Sequence, residues 1–498
     1  MNKLDPKKIT TNQHEPTRTE EKEEFLTTNN RELTRTTTRC RTTSSWCSCG
    51  SWLPFFFILL ITALAHAQDD PRNDIIKYGT ETEISNLIQS LRTEKTDSFD
   101  NELIALAQVS KNTKVLTGIF GFFGEREKGG LQERAVKVIS QREDETTETI
   151  LSAMDYLGKM KSGESVPVLM ELLETEEKKF LNAGFRAIGS ASSGDKKLAD
   201  KTAEFLIDFY NDKDPGNDNR SAVITAIGAT GSSAGVEFLT EIATNPDERV
   251  PLRMAALGAL SQIGDPKGLD AIVSCISAKD PNLRSSAVAA LGPFSGSAAE
   301  NAIFDAFRDS YYRTRIAAAQ ASRDRKLASA VPFLKFRAER DDVPSVKDES
   351  IRALGAISND EAIAVLESLF LERKNTDRVR LLAADMLSKN SSQKYFSKVV
   401  AELDEAKKRN QTNLYNGFLK IVGETVIEND KSEIETVARR FLSAGGIMEK
   451  LYGLDMASNN KLMGLKEEII TLTKDKNEGL SKKAKRTAEN LGIEIPSN

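Results

Sequence analysis

The chain has 498 residues, 39% hydrophobic and 29% charged, with 69 Lys+Arg, 74 Asp+Glu and two histidines. His14, His66, Trp46, Trp52, Cys40, Cys47 and Cys49 all lie within residues 1–67. The remainder therefore holds no imidazole, no indole and one thiol, Cys275, which excludes His-based acid–base catalysis, His- or Cys-built metal sites and an internal disulfide there. Nine basic and seven acidic side chains fall in that first segment. The 60 against 67 that remain give a net charge of −7, which argues against nucleic acid or an anionic membrane surface as partner.

Residues 1–50 contain twelve threonines and no apolar periodicity, the composition of a disordered leader. Residues 51–67 differ sharply. Trp52 to Ala65 is an uncharged apolar run of 14 residues, followed by Ala65-His66-Ala67 and then Gln68-Asp69-Asp70. Small residues at 65 and 67 after a short apolar stretch form a signal-peptidase pattern, with cleavage expected between Ala67 and Gln68. A retained membrane anchor is the alternative, but the run falls short of the ~20 residues that span a bilayer. No cysteine follows it closely enough to accept a lipid.

From residue 68 the chain reads as helix after helix. EISNLIQSL, NELIALAQV and KVLTGIFGFFG form an N-terminal helical cap over 68–144, with Ile119-Phe120-Gly121-Phe122-Phe123 as its apolar centre. A tandem repeat follows over 145–460. Arg220, Arg253, Arg284, Arg315, Lys347 and Arg380 are spaced 33, 31, 31, 32 and 33 residues apart. Each opens a segment with small or apolar residues at offsets +3, +4, +6 and +7, such as Ala256, Leu257, Ala259 and Leu260 after Arg253. Fainter copies fit origins at 150, 181, 415 and 447. A second apolar stripe at threes and fours lies between origins, as in Val236, Phe238, Leu239 and Ile242, so each unit is a helix pair. Glycine at +8 reads as a helix C-cap, and Asp280 and Asp377 read as N-terminal punctuation. The small residue at +6 allows close approach of neighbouring helices. Residues 461–498 supply C-terminal capping helices, the last made basic by Lys482, Lys483, Lys485 and Arg486.

A helix pair that cannot hide its stripe alone hides it against the next pair, which predicts an all-α fold, an α-solenoid. Ten units at the ~8–10 Å spacing of packed helices give a curved rod on the order of 90 Å long. The Asp–x–x–x–Arg turn followed by A-x-A-L-G resembles HEAT repeats, in particular the short bacterial HEAT repeats of the phycobilisome-lyase type. That resemblance implies a superhelix in which each basic side chain pairs with an acidic turn of a neighbouring unit. It makes Arg220, Arg253, Arg284, Arg315 and Arg380 a structural ladder with residues such as Asp280 and Asp377. HEAT-type hydroxylases use His-Glu iron ligands, which this chain lacks beyond residue 66. No lyase catalytic residue maps onto it, and HEAT-like glycosylases need a basic concave face.

Smaller features add little. The loop from Asp212 to Asp218 resembles the start of a calcium loop, but its twelfth position is Val223 where a bidentate Glu is needed, so it reads as a loop insertion. Cys275 reads as a small buried hydrophobe. The unit opened by Tyr311-Tyr312 is the least regular, with Ser322 and Arg323 where Leu and Gly usually stand. The expectation is an exported, non-catalytic scaffold in the periplasm or cell envelope that binds a protein or peptide. It needs no cofactor, metal or nucleic acid, and meets a membrane only if residues 52–65 are retained. The alternative is a lyase-like or chaperone-like accessory protein holding a small ligand in the solenoid groove.

Overall fold

The structure, a computed structural model, describes residues 70–213, 215–444 and 446–496. The apolar run at 52–65 and the cleavage residues Ala65, Ala67 and Gln68 lie outside these residues. Among the described residues there are 26 α-helices and no strand. None of these helices is long and apolar enough to cross a membrane.

The helices run in pairs. The first are α1 (Pro71–Tyr78) and α2 (Glu81–Glu94), α3 (Asp100–Val109) and α4 (Thr113–Glu125), α5 (Gln132–Ser140) and α6 (Thr147–Lys159), α7 (Val166–Glu174) and α8 (Lys178–Ser192). The middle pairs are α9 (Lys196–Asp212) and α10 (Asn217–Thr230), α11 (Val236–Thr244) and α12 (Val250–Ile263), α13 (Leu269–Cys275) and α14 (Pro281–Ala290), α15 (Ser297–Ala306) and α16 (Tyr312–Asp324). The last are α17 (Val331–Arg340) and α18 (Pro344–Ile357), α19 (Asp360–Leu371) and α20 (Asp377–Asn390), α21 (Ser392–Lys408) and α22 (Thr412–Glu424), α23 (Ser432–Ala444) and α24 (Ile447–Asn460), α25 (Lys466–Leu472) and α26 (Glu478–Leu491). Every even-numbered helix packs on the next even-numbered helix from α2 to α26, and each pairs with the odd-numbered helix before it. The result is two parallel layers of helices with one continuous core between them.

The repeat origins read from the sequence at 220, 253, 284, 315, 347 and 380 are all the fourth residue of an even-numbered helix. Offsets +3, +4, +6 and +7 face the core throughout: Ala256, Leu257, Ala259 and Leu260 in α12, and Ser350, Ile351, Ala353 and Leu354 in α18, are buried. Two features of the phase differ from the sequence reading. In α24 the buried positions are Gly453, Leu454, Met456 and Ala457, which puts the origin at Lys450 and not at 447. The register also runs ahead of residue 145. Ile119, Phe120, Phe122 and Phe123 are the corresponding buried residues of α4, as Leu87, Ile88 and Leu91 are of α2. Their origins are Leu116 and Ile84, and an apolar origin gives no charged marker to align on.

Gly292 lies one residue past Leu291, the C-cap of α14, but the other glycines at +8 do not cap helices. Gly158, Gly189, Gly228 and Gly355 lie inside α6, α8, α10 and α18, and each faces the +6 residue of the next even-numbered helix. A Cβ on Gly189 would stand 2.5 Å from the Ala226 carbonyl oxygen, and one on Gly228 would stand 2.7 Å from the Ala259 Cα. Glycine at +8 and a small residue at +6 thus let two helix backbones touch. Helix termination falls three residues later, at Gly231 and Gly264, whose φ of 70° and 68° is the left-handed conformation that ends a helix.

Candidate interaction surface

Three of the basic origins, Arg284, Arg315 and Arg380, connect one unit to the next. Arg284 in α14 donates from Nε and Nη2 to the Asp309 carboxylate at 2.7 and 2.9 Å, and from Nη1 to the Ala278 and Lys279 carbonyls at 3.1 Å. Arg315 in α16 repeats the geometry on Asp341, both bonds 2.8 Å, and donates to the Asp309 and Ser310 carbonyls at 3.0 and 3.1 Å. Arg380 donates to the Phe370 carbonyl at 3.0 Å and to Glu402 at 2.6 Å. Arg253 bonds the Ala243 carbonyl at 2.9 Å, and Arg220 lies 4.9 Å over the Tyr210 ring. Further along, the Tyr415 hydroxyl donates to Glu449 at 2.5 Å, and Lys450 stands 3.7 Å from Asp475.

These contacts share a logic. An arginine origin reaches back to the end of the odd-numbered helix of its own unit, where carbonyls lack helical partners and carry the negative end of the dipole. Where a carboxylate is available it also reaches forward into the next unit. Fork-to-fork pairing of guanidinium and carboxylate fixes the separation of the two units. Burial pushes the Asp341 carboxyl up, but the Arg315 hydrogen bonds outweigh it, and the group is held below the ordinary carboxylate range. Asp309 shows the same balance with Arg284. Burial, with Glu449 beside it, pushes the Tyr415 hydroxyl well above the usual phenol range.

The ladder acids read from the sequence are not the ones these arginines take. Asp280 caps its own helix, accepting from the Asn282 and Leu283 amides at 2.8 and 3.0 Å. A carboxylate at that position faces the free N–H groups of its own helix and caps them. At α20 the capping residue is Thr376, and Asp377 is the first helical residue. The acids that replace them, Asp309 and Asp341, precede the next even-numbered helix by a few residues and stand 25 and 26 positions beyond their arginines.

The irregular copy has its own solution. Arg323 occupies the +8 position of α16 where glycine stands in α6, α8, α10 and α18, and its guanidinium pairs with the buried carboxylate of Glu349 in α18. Glu349 also takes Arg352 at 3.4 Å, and Asp348 accepts from Arg378 Nε at 2.9 Å. An ionic network here takes the place of backbone contact. Elsewhere, Asp214 of the calcium-like loop lies outside the described residues. Among the described residues no three His, Cys, Asp or Glu side chains converge as a metal site would require. Cys275 is buried and free, its Sγ 3.3 Å from the Ala243 carbonyl. In α26, Lys482 and Lys483 pair with Glu478 and Asp455.

Across the even-numbered layer, α6, α8, α10 and α12 enclose an open trough of about 310 Å³. Its floor is Gly158, Ala187, Ala226 and Ala229, and Asp155, Lys159, Arg186, Ser190 and Gln262 reach into it. The trough exists because the +8 and +6 residues are small. It was not read from the sequence, where a run of alanines on one helix carries no sign that the helices on either side are equally bare.

Stacked helix pairs with interlocking +8 and +6 positions and a basic origin define a HEAT-type α-solenoid. The model of the spirochaete HEAT repeat proteins matches residues 76–487, and the chain belongs to that family. Among solved structures it is similar to the karyopherin Kap121p, at 13% identity and a TM-score of 0.42, over 87% of this chain and 56% of that one. Kap121p bound to the SUMO protease Ulp1p gives 13% and 0.41, over 86% and 52%. Human deoxyhypusine hydroxylase in complex with glycerol gives 16% and 0.24, over 54% of this chain and 99% of that one. The chain spans about half the length of the karyopherins it matches. No curated protein matches it.

Proposed function

We propose that this protein is an exported, non-catalytic scaffold that holds a protein or peptide partner in the periplasm or cell envelope. The observation that carries the scaffold reading is the unbroken even-numbered layer from α2 to α26, a continuous face locked at backbone contact and by ion pairs between units. A face of that kind sums many weak contacts along its length and needs no single catalytic constellation. The apolar run ending in Ala65-His66-Ala67 supports export.

Two measurements test the two halves. N-terminal sequencing of the protein from fractionated cells is expected to start at Gln68 in the periplasmic or envelope fraction; Met1 intact in the cytosol refutes export. The chain, and versions lacking two successive units at a time, are then used as bait on a cross-linked envelope fraction. A scaffold loses partners in blocks as units are removed. Loss of one chemical activity at one deletion, with no partner retained by the intact chain, refutes the scaffold.

A further inference from the structure

The α6–α12 trough has a charge balance that specifies an occupant. Asp155 and Lys159 are paired across 2.8 Å and neutralise one another. The Thr225 hydroxyl is spent on the Ser221 carbonyl at 2.9 Å. Arg186 is exposed on α8 and has no hydrogen-bond, ion-pair or ring partner among the described residues. The trough therefore presents one uncompensated guanidinium with its N–H groups unspent, above a floor of glycine and alanine. A guanidinium in that state matches a carboxylate in a planar, two-point contact.

Length decides between a small acid and a chain. Four successive helices at the ~8–10 Å spacing of packed helices make a trough about 25–30 Å long, the reach of about eight residues of extended backbone at ~3.3 Å each. A free small carboxylate fills a fraction of that. The bare floor leaves room for backbone and small apolar side chains and offers no second charge to satisfy. We propose that the trough docks an extended, mostly uncharged segment of a partner protein that sets one Asp or Glu carboxylate against Arg186. This rests on the scaffold reading and names the chemistry of the partner.

The probe is a phage-displayed library of random twelve-residue peptides, panned against the full chain. Selected peptides are synthesised and titrated by fluorescence anisotropy against the wild type, Arg186→Glu and Thr225→Trp, the last filling the trough from an exposed position. The expected selection carries one acidic residue among small apolar ones. Affinity should fall at least tenfold with either variant, and by a similar factor when the peptide's acid becomes Gln. Exchange of that acid for Lys should restore binding to Arg186→Glu. Peptides that lack an acid, or that bind both variants as tightly as wild type, overturn the docking site while leaving the scaffold reading intact. No enrichment over background overturns the docking site too, and with a failed envelope cross-linking it removes the scaffold as well. Competition by millimolar glutarate to the full extent of the peptide assigns the trough to small acids instead.

Discussion

A methyl group added to Gly228 tests the contact on which the stack depends. In α10 that Cβ would lie 2.7 Å from the Ala259 Cα, 2.8 Å from its Cβ and 3.3 Å from its carbonyl oxygen. Carbon atoms rest at ~3.5–4.0 Å, so α10 and α12 must part by nearly an ångström. The opposing atoms are backbone, and no rotamer change relieves them. Overpacking of this kind costs about 1–3 kcal/mol, while alanine for glycine in a helix returns about 0.8–1.0 kcal/mol. The net expectation for Gly228→Ala is destabilisation of about 1 kcal/mol. Gly258, on the neighbouring helix α12, is the control. It is exposed, nothing lies within 4 Å of its added Cβ, and its φ is helical, so Gly258→Ala should stabilise by about 0.5–1 kcal/mol. The same chemical change thus takes opposite signs on adjacent helices. Urea unfolding followed at 222 nm reads the midpoints, with hydrogen exchange of α10 and α12 alongside because long arrays depart from two-state behaviour. Ala259→Gly added to Gly228→Ala should rescue only in part, since it removes the 2.8 Å contact and leaves the Cα. If Gly228→Ala is as stable as Gly258→Ala, the interlock is refuted and the phase of the array with it.

Other outcomes follow from the same geometry. Arg315→Ala leaves the Asp341 carboxylate, whose side chain is 0% exposed, without its main partner, and should cost about 3–5 kcal/mol by urea unfolding. Because Asp309 and Asp341 are held below the ordinary carboxylate range, their contribution is present above the unfolded-state pKa of about 4 and is lost as pH falls through the folded one. Unfolding midpoints should drop on acidification below pH 4, by less in Arg315→Ala; equal drops in both refute the assignment. Leu257→Asp places a charge at a fully buried position and should cost several kcal/mol; a variant that unfolds with the wild type refutes the burial of +4. Cys275, 2% exposed, should react with a thiol reagent at the rate of opening of α13 and not at the rate of a free thiol; immediate labelling of the native protein contradicts the packing. Protein cleaved after Ala67 has eight tyrosines and no tryptophan, so tryptophan emission from the processed form contradicts cleavage there.

Much of the array was legible without coordinates. A charged origin followed by apolar residues at +3, +4, +6 and +7 places Leu260, Leu291 and Leu354 in equivalent positions at +7, and all three are buried. Helical periodicity is local, and a residue's phase on one helix is set by its neighbours three and four away. The same locality explains the error at α24. Leu451 and Leu454 are three apart and satisfy an origin at 447, while only the packed helix shows that Gly453 and Met456 are buried as well. At the N-terminal end, Ile84 and Leu116 carry the register with no charge to mark it.

What the sequence alone determined, then, is the helix pair, its period and its buried stripe, because each arises from residues within one turn or two of one another. Tertiary structure alone decided which acid each arginine takes. Asp280 and Asp309 are equally acidic in the sequence, but the first lies against its own amides and the second lies across the unit boundary at 2.7 Å. It likewise decided that Gly228 is a backbone contact and not a cap, and that the bare floors of four helices merge into one trough beside Arg186. Each of these depends on the distance between helices about thirty residues apart, which no local pattern encodes.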